Sequence, residues 1–401
     1  MKKLLLLLAA GAAVSLGLHS REYPQCVHTD AGGLHFPAGR EPMERFRSIL
    51  RACAESPDST ATILHIGGSH VQAGWFSSRM RHHFDSISAA PASGRGFIFP
   101  YPLAHTNFDH SYNVSGEGDW IGSLSPNPNR KLPVRPNFGF TGLAAYTADT
   151  AAAFCLGTPV PFKRLHILGE ASDGSVFPRV ISGCDTLCCA RDTLLSGFVA
   201  EFPSEVDTVR VEMGLGKGQC FTLTGLLPES ERKCGISYIS TGVNGARTTT
   251  WTERCPEFPR EFGSIRPDLV IWGLGINDSA CPEKDFKPER FKQNYRKLLD
   301  MVLEQSPSCA FIFITNNDSY RYSGRRMVHN GNGAAVRKAM FELAEEYDGA
   351  VWDLFSVMGG NGSANRWRDA SLMKRDRLHF TREGYEMLGD MLFNAIMEDG
   401  E

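Results

Sequence analysis

Two continuous apolar runs, DLVIWGL at 268–274 and AFIFIT at 310–315, bracket a stretch at 288–305 whose apolar residues recur at helical spacing. A strand that is apolar throughout must be covered on both faces, which is the condition of a parallel sheet packed between helices. In the intervening stretch Phe291, Tyr295, Leu298, Leu299, Val302 and Leu303 form one side of a helix. The same rhythm continues through a predicted helix at 334–347, a short strand at 350–354 and a closing helix at 382–397. It also begins earlier, with a helix at 43–55, a strand at 62–66, a helix at 71–84 and, much later, a strand at 236–240. Alternation of this kind predicts a three-layer α/β domain around a parallel sheet.

That domain is interrupted. From 91 to about 234 helical periodicity is lost, Gly and Pro are frequent, and short β-rich runs recur at 96–99, 165–168, 179–181, 197–200, 208–211 and 221–224. Turns such as Ser172-Asp173-Gly174 separate several of them. Many short strands with turn punctuation predict a β-sandwich. An interruption of about 150 residues is far too long for a loop and suits a domain. The expected organisation is a discontinuous α/β domain at 40–85 and 236–398, with an all-β domain inserted at 91–235.

Composition narrows the setting. The 401 residues are 42% hydrophobic and 22% charged, with a net charge of −3. This is a globular chain with no bias toward nucleic acid or an anionic membrane surface. Lys2 and Lys3 precede a short apolar core, as in a secretory signal peptide over 1–20, so the protein is expected to be exported, to the periplasm or beyond. That core is too short for a stable membrane span, no later stretch is apolar enough, and Cys26 lies too far along for an acylated lipoprotein cysteine. Export permits disulfides. There are eleven cysteines, and Cys155, Cys184, Cys188, Cys189, Cys220 and Cys234 crowd the middle of the chain. Cys184-x-x-x-Cys188-Cys189 lacks the paired spacings of a zinc module, so structural cysteines, some of them bridged, are expected.

The residues with chemistry stand at the ends of the α/β strands. The first strand runs into Gly67-Gly68-Ser69-His70 and then a helix, which places a serine on a strand-to-helix turn. The strand at 236–240 runs into Thr241-Gly242-Val243-Asn244-Gly245, a turn able to aim a backbone N–H. The strand at 268–274 is followed by Gly275-Ile276-Asn277-Asp278. Asn277 offers a side-chain amide, and Asp278 is expected to cap a helix. With the Ser69 amide these make three donors, enough to hold an oxyanion. Near the end, Asp376-Arg377-Leu378-His379 sets a carboxylate within reach of an imidazole, leaving Nε2 for a hydroxyl. Each fragment alone has a plain reading as a turn glycine, a capping pair or a surface ion pair. Their joint order is the informative feature.

That order resembles the SGNH/GDSL hydrolase superfamily over 40–85 and 236–398. The resemblance implies Ser69 as nucleophile, Gly245 (rather than Gly242) and Asn277 as further oxyanion donors, His379 as general base and acid, and Asp376 as its orienting carboxylate. It implies no metal or organic cofactor. The words Ser69-His70-Val71-Gln72, Pro100-Tyr101-Pro102-Leu103, Met358-Gly359-Gly360 and Gly384-Tyr385 look like an exported bacterial subgroup with an inserted β-sandwich similar to a carbohydrate-binding module. That subgroup includes O-acetylesterases of peptidoglycan and other sugars. The implied function is removal of acetyl esters from a glycan by a Ser-His-Asp acyl-enzyme route. A glycan-binding protein with a degenerate site and a sugar O-acetyltransferase are the alternatives. One position departs from the family: Gly68 stands where an aspartate is usual. Trp75, Trp120, Trp272 and Trp367 are candidates for stacking on sugars, although most tryptophans belong to cores.

Overall fold

The computed structural model describes residues 23–107 and 110–398, so the expected signal peptide lies outside the described residues. The chain opens with β1 (Leu34–His35), α1 (Glu41–Glu55), β2 (Thr60–Gly67), α2 (Ser69–Gln72) and α3 (Trp75–Ile87). The helix expected at 71–84 is therefore two, broken at Gly74, whose φ of 80° ends the first. Nine strands follow: β3 (Asn113–Glu117), β4 (Ile121–Leu124), β5 (Leu143–Thr147), β6 (Ala153–Ala171), β7 (Arg179–Ser182), β8 (Asp185–Cys188), β9 (Ala190–Asp192), β10 (Gly197–Glu212) and β11 (Phe221–Glu229). The α/β alternation then resumes with β12 (Gly235–Gly242), α4 (Thr250–Arg254), α5 (Phe258–Phe262), β13 (Leu269–Gly273), α6 (Pro288–Gln305) and β14 (Ala310–Ile314). A hairpin, β15 (Tyr320–Ser323) and β16 (Arg326–His329), precedes α7 (Gly333–Glu346) and β17 (Ala350–Trp352). Helices α8 (Leu354–Val357), α9 (Ser363–Asp369) and α10 (Arg382–Met397) close the chain.

Six strands form one sheet in the order β1-β17-β14-β13-β2-β12, parallel except for the antiparallel edge strand β1. Its strands are apolar on both faces because each face has its own core. Ile63, Ile271 and Ile312 point into a core with Phe46 and Leu50 of α1, Met80 and Phe84 of α3, and Leu388 and Leu392 of α10. Their neighbours Leu64, Val270, Trp272, Phe311 and Phe313 point the other way, onto Tyr295 and Leu298 of α6 and Met340 and Leu343 of α7. This alternation follows from the two-residue period of a strand.

The nine strands β3 to β11 pair antiparallel as one hydrogen-bonded sheet, in the order β4-β5-β11-β6-β10-β7-β8, with β3 on β6 and β9 on β10. The sequence suggested the separate sheets of a sandwich and shorter strands. The runs at 197–200 and 208–211 are instead the two ends of the 16-residue β10, which shifts register against β6 between Glu201 and Val206. Such a shift lets a long strand bend without ending. The run at 96–99 is not a strand, and only Ile98 bridges to Leu226.

All eleven cysteines are free, which corrects the expected bridges. Cys188 sits opposite Arg179 across β7 and β8, and Cys184 lies in the turn between them. Among the described residues no helix is long and apolar enough to cross a membrane.

His65, in β2, is fully buried with its Nδ1 2.8 Å from the Tyr238 hydroxyl. Burial pushes its pKa down to about 3. In the unfolded chain a histidine titrates near ~6.5. Between those values the unfolded state binds the extra proton. Stability is therefore complete above the unfolded value and is lost as pH falls through it toward 3. His65→Leu removes that proton from the unfolded state. Urea unfolding between pH 6 and pH 4 should show a flatter pH dependence in the variant, by up to about 1.4 kcal/mol per pH unit. Equal slopes would rule the linkage out.

Candidate active site

Strand register brings the site together. In the parallel sheet Gly67 of β2 is level with Gly242 of β12 on one side and Gly273 of β13 on the other. The segments that follow all leave the same edge. Ser69 begins α2, two residues past the end of β2. Gly245 and Asn277 lie on the next two loops. All three line one cleft of about 580 Å³, together with His379.

The polar chain expected from sequence is present. Ser69 Oγ lies 2.8 Å from His379 Nε2, and His379 Nδ1 lies 2.8 Å from Asp376 Oδ2. Asp376 Oδ1 also accepts from the backbone amides of Leu378 and His379, each at 3.0 Å. Burial alone would raise the Asp376 carboxyl, but the hydrogen bond from His379 and the two amides outweigh it and hold it well below the usual carboxylate range. An ionised carboxylate only accepts, so the Nδ1 proton belongs to His379 and Nε2 is left to accept from Ser69.

The side of the cleft that holds Gly245 and Asn277 is built from tight turns. Gly245 has φ 81°, a left-handed conformation that favours glycine. Asn277 Nδ2 donates to the Ala246 carbonyl at 3.0 Å, which ties the second loop to the third. Asp278 does not cap a helix. Its carboxylate accepts from the Thr248 amide at 3.1 Å and the Thr248 hydroxyl at 2.6 Å, bracing the loop after Gly245. Gly68 has φ −92°, outside the left-handed region that favours glycine. A Cβ there would lie 3.3 Å from Asn277 Nδ2, so an aspartate would face that amide.

Residues 221–387 match the family model of the GDSL-like lipase/acylhydrolases. That span holds Gly245, Asn277, Asp376 and His379, and the fold adds Ser69 from the turn after β2. The α/β domain is that of an SGNH-type carboxylic ester hydrolase. A solved structure described as a peptidoglycan O-acetylesterase in action shares its fold, with a TM-score of 0.69 and 17% identity over 90% of this chain and 97% of that one. The acetylxylan esterase Axe2 from Geobacillus stearothermophilus matches at 20% identity over 41% of this chain and 74% of its own, with a TM-score of 0.31. A family two carbohydrate esterase from Cellvibrio japonicus matches at 12% identity over 72% and 98%, with a TM-score of 0.28. At these identities the first likeness is one of fold. No curated protein matches the sequence significantly.

The hydrolase has further polar residues around this cleft that sequence reasoning did not assign. Gln72, buried at the end of α2, accepts from the Asn244 amide at 2.6 Å and donates to the Thr106 hydroxyl and the Asn107 carbonyl at 3.0 and 2.9 Å. It clamps the Gly245 turn to the segment ahead of β3. His70 Nδ1 lies 2.8 Å from the Tyr385 hydroxyl of α10. Burial pushes His70 down to about 3, so it stays neutral behind Ser69. Of the four candidate tryptophans, Trp120, Trp272 and Trp367 are buried. Trp75 lines the cleft, with the Arg382 guanidinium 4.4 Å and the His110 ring 5.0 Å from its centre.

Two substitutions test these supports. Gln72→Leu leaves the Asn244 amide without its acceptor and should lower kcat on p-nitrophenyl acetate by roughly 10–100-fold, with a smaller change in KM. Gln72→Glu keeps the acceptor and should lose less. Unchanged kcat in Gln72→Leu would show that the turn holds itself. Gly68→Asp should keep or raise kcat, because Gly68 lies outside the left-handed region and Asn277 Nδ2 can donate to the new carboxylate. A loss beyond tenfold would mean the turn depends on glycine.

Proposed function

We propose that this protein is a serine esterase that removes O-acetyl groups from a glycan. The observation that carries the reading is the continuous Ser69–His379–Asp376 chain, with both links at 2.8 Å, in the cleft that Gly245 and Asn277 also line. In the proposed reaction Ser69 Oγ attacks the acetyl carbonyl while His379 Nε2 takes its proton. The carbonyl oxygen becomes an oxyanion facing the Ser69 and Gly245 amides and the Asn277 side chain. The intermediate collapses, the sugar oxygen leaves with the proton from His379, and the acetyl group stays on Ser69. Water, deprotonated by His379, then releases acetate and restores the serine.

The acyl group is argued from the lining. Asn107, His110, Asn244, Lys374 and Arg382 line the cleft with the nucleophile, beside the rings of Trp75, Phe380 and Tyr385, and its aliphatic side chains are only Ala73 and Leu378. Such a cleft suits a short acyl group on a polar alcohol better than a lipid chain. We assign the α/β elements at 40–85 and 236–398 to a catalytic domain and the nine-stranded sheet at 91–235 to an inserted domain that helps to engage the glycan. The purified protein should hydrolyse p-nitrophenyl acetate and release acetate from O-acetylated glycans. Ser69→Ala should lower both by at least ~10³-fold with an unchanged circular dichroism spectrum. Wild type and variant that are equally inert would end the esterase reading.

A further inference from the structure

A second pocket of about 190 Å³ adjoins the catalytic cleft, and Asn277 and Leu378 line both. Its outer wall is the β15–β16 hairpin, which supplies Tyr322 and Arg321. The hairpin is anchored at its base. The Tyr320 amide donates to the Arg377 carbonyl in the catalytic loop at 3.0 Å, and the Tyr320 ring lies under the Arg377 guanidinium at 4.3 Å. Asp318, buried just before β15, accepts from His329 Nε2 at 2.6 Å and from the Ala364 amide at 2.9 Å. The pocket is thus held against the loop that carries Asp376 and His379.

Two features of this wall lack an explanation within the folded chain. Tyr322 is 68% exposed although it borders a cavity beside the nucleophile. Arg321 Nε is buried without a hydrogen-bond partner among the described residues. A buried donor is expected to find an acceptor, and an empty one carries a desolvation cost. An exposed aromatic ring at the rim of this pocket suits the C–H surface of a sugar, and the outer guanidinium nitrogens of Arg321, whose Nε is covered, suit its hydroxyl or acetamido oxygens. The Trp75 ring in the main cleft is already engaged by Arg382 and His110.

Building on the esterase reading, we propose that this pocket binds the sugar next to the acetylated one, with Tyr322 stacking on its ring and Arg321 donating to one of its oxygens. The preferred substrate is then an O-acetylated oligosaccharide or polymer rather than a monosaccharide. The acetylated residue occupies the cleft at Ser69, and the chain passes over Leu378 to the hairpin.

The test compares kcat/KM on p-nitrophenyl acetate with that on O-acetylated N-acetylglucosamine and on its β-1,4-linked dimer and trimer. A parallel series uses O-acetylated xylose, xylobiose and xylotriose. Wild type should favour dimer over monomer by at least tenfold in one series. Tyr322→Ala and Arg321→Met should each reduce that dimer-to-monomer ratio toward one, and Tyr322→Phe should retain it. Turnover of p-nitrophenyl acetate with no dimer preference in either series would overturn the subsite. So would a preference that both variants keep. Failure to hydrolyse any ester would instead strike the esterase reading itself.

Discussion

The site depends on the register of β2 between β12 and β13. Gly67 is level with both Gly242 and Gly273, so three loops leave the sheet at one height. That register is not set by the site. It is set by the two cores, because Ile63 must enter one and Leu64 the other. A slip of one residue would send each to the wrong face. Hydrophobic burial therefore fixes where a serine, a glycine amide and an asparagine amide converge, although Ser69 and His379 are 310 residues apart in sequence.

The strand ends also have to be bare. A Cβ on Gly242 would come 2.3 Å from the Gln72 amide nitrogen, and one on Gly67 would come 2.4 Å from Val71 Cγ2. Helix α2 lies directly across the ends of β2 and β12, and only glycine admits that approach. The same approach puts Gln72 against Asn244, so packing of α2 and order in the Gly245 turn are one requirement. On the far side Asp376 is held by two amides of its own loop and by His379. The imidazole is thus positioned by a short closed ring of hydrogen bonds rather than by a distant element.

Much of this was legible in the sequence because it has a periodic or ordered signature. The runs at 268–274 and 310–315 read as strands covered on both faces, and α6 and α10 fall where their apolar spacing placed them. Ser69, Gly245, Asn277, Asp376 and His379 were readable as an order of strand ends, and the structure brings all five to one cleft or its edge. Features made by contacts between distant segments were not legible. Gln72 reaches Asn107 through the fold, and nothing in either neighbourhood announces the pair. The long strand β10 reads as two because its middle, where the register shifts, breaks the alternation. The cysteines misled because the expected export permits bridges without requiring them. The β15–β16 hairpin was missed although Tyr320 and Tyr322 at strand spacing before Ser323-Gly324 form a hairpin signal. Its four-residue strands are too short to stand out beside the buried runs.

The missed elements share a physical property. The segment holding Asn107 and the β15–β16 hairpin lie outside both cores' strands, so they can change without disturbing the register that holds Ser69. The loops of Ser69, Gly245 and Asn277 have no such freedom, since each is the direct continuation of a core strand. Three of the candidate site's five residues accordingly stand where packing constrains the chain most, in a fold shared at 17% identity. Choice of substrate belongs to the parts that packing constrains least. An aromatic ring left open on such a part, next to a guanidinium nitrogen with no acceptor, is therefore more informative about what the cleft receives than any residue of the sheet.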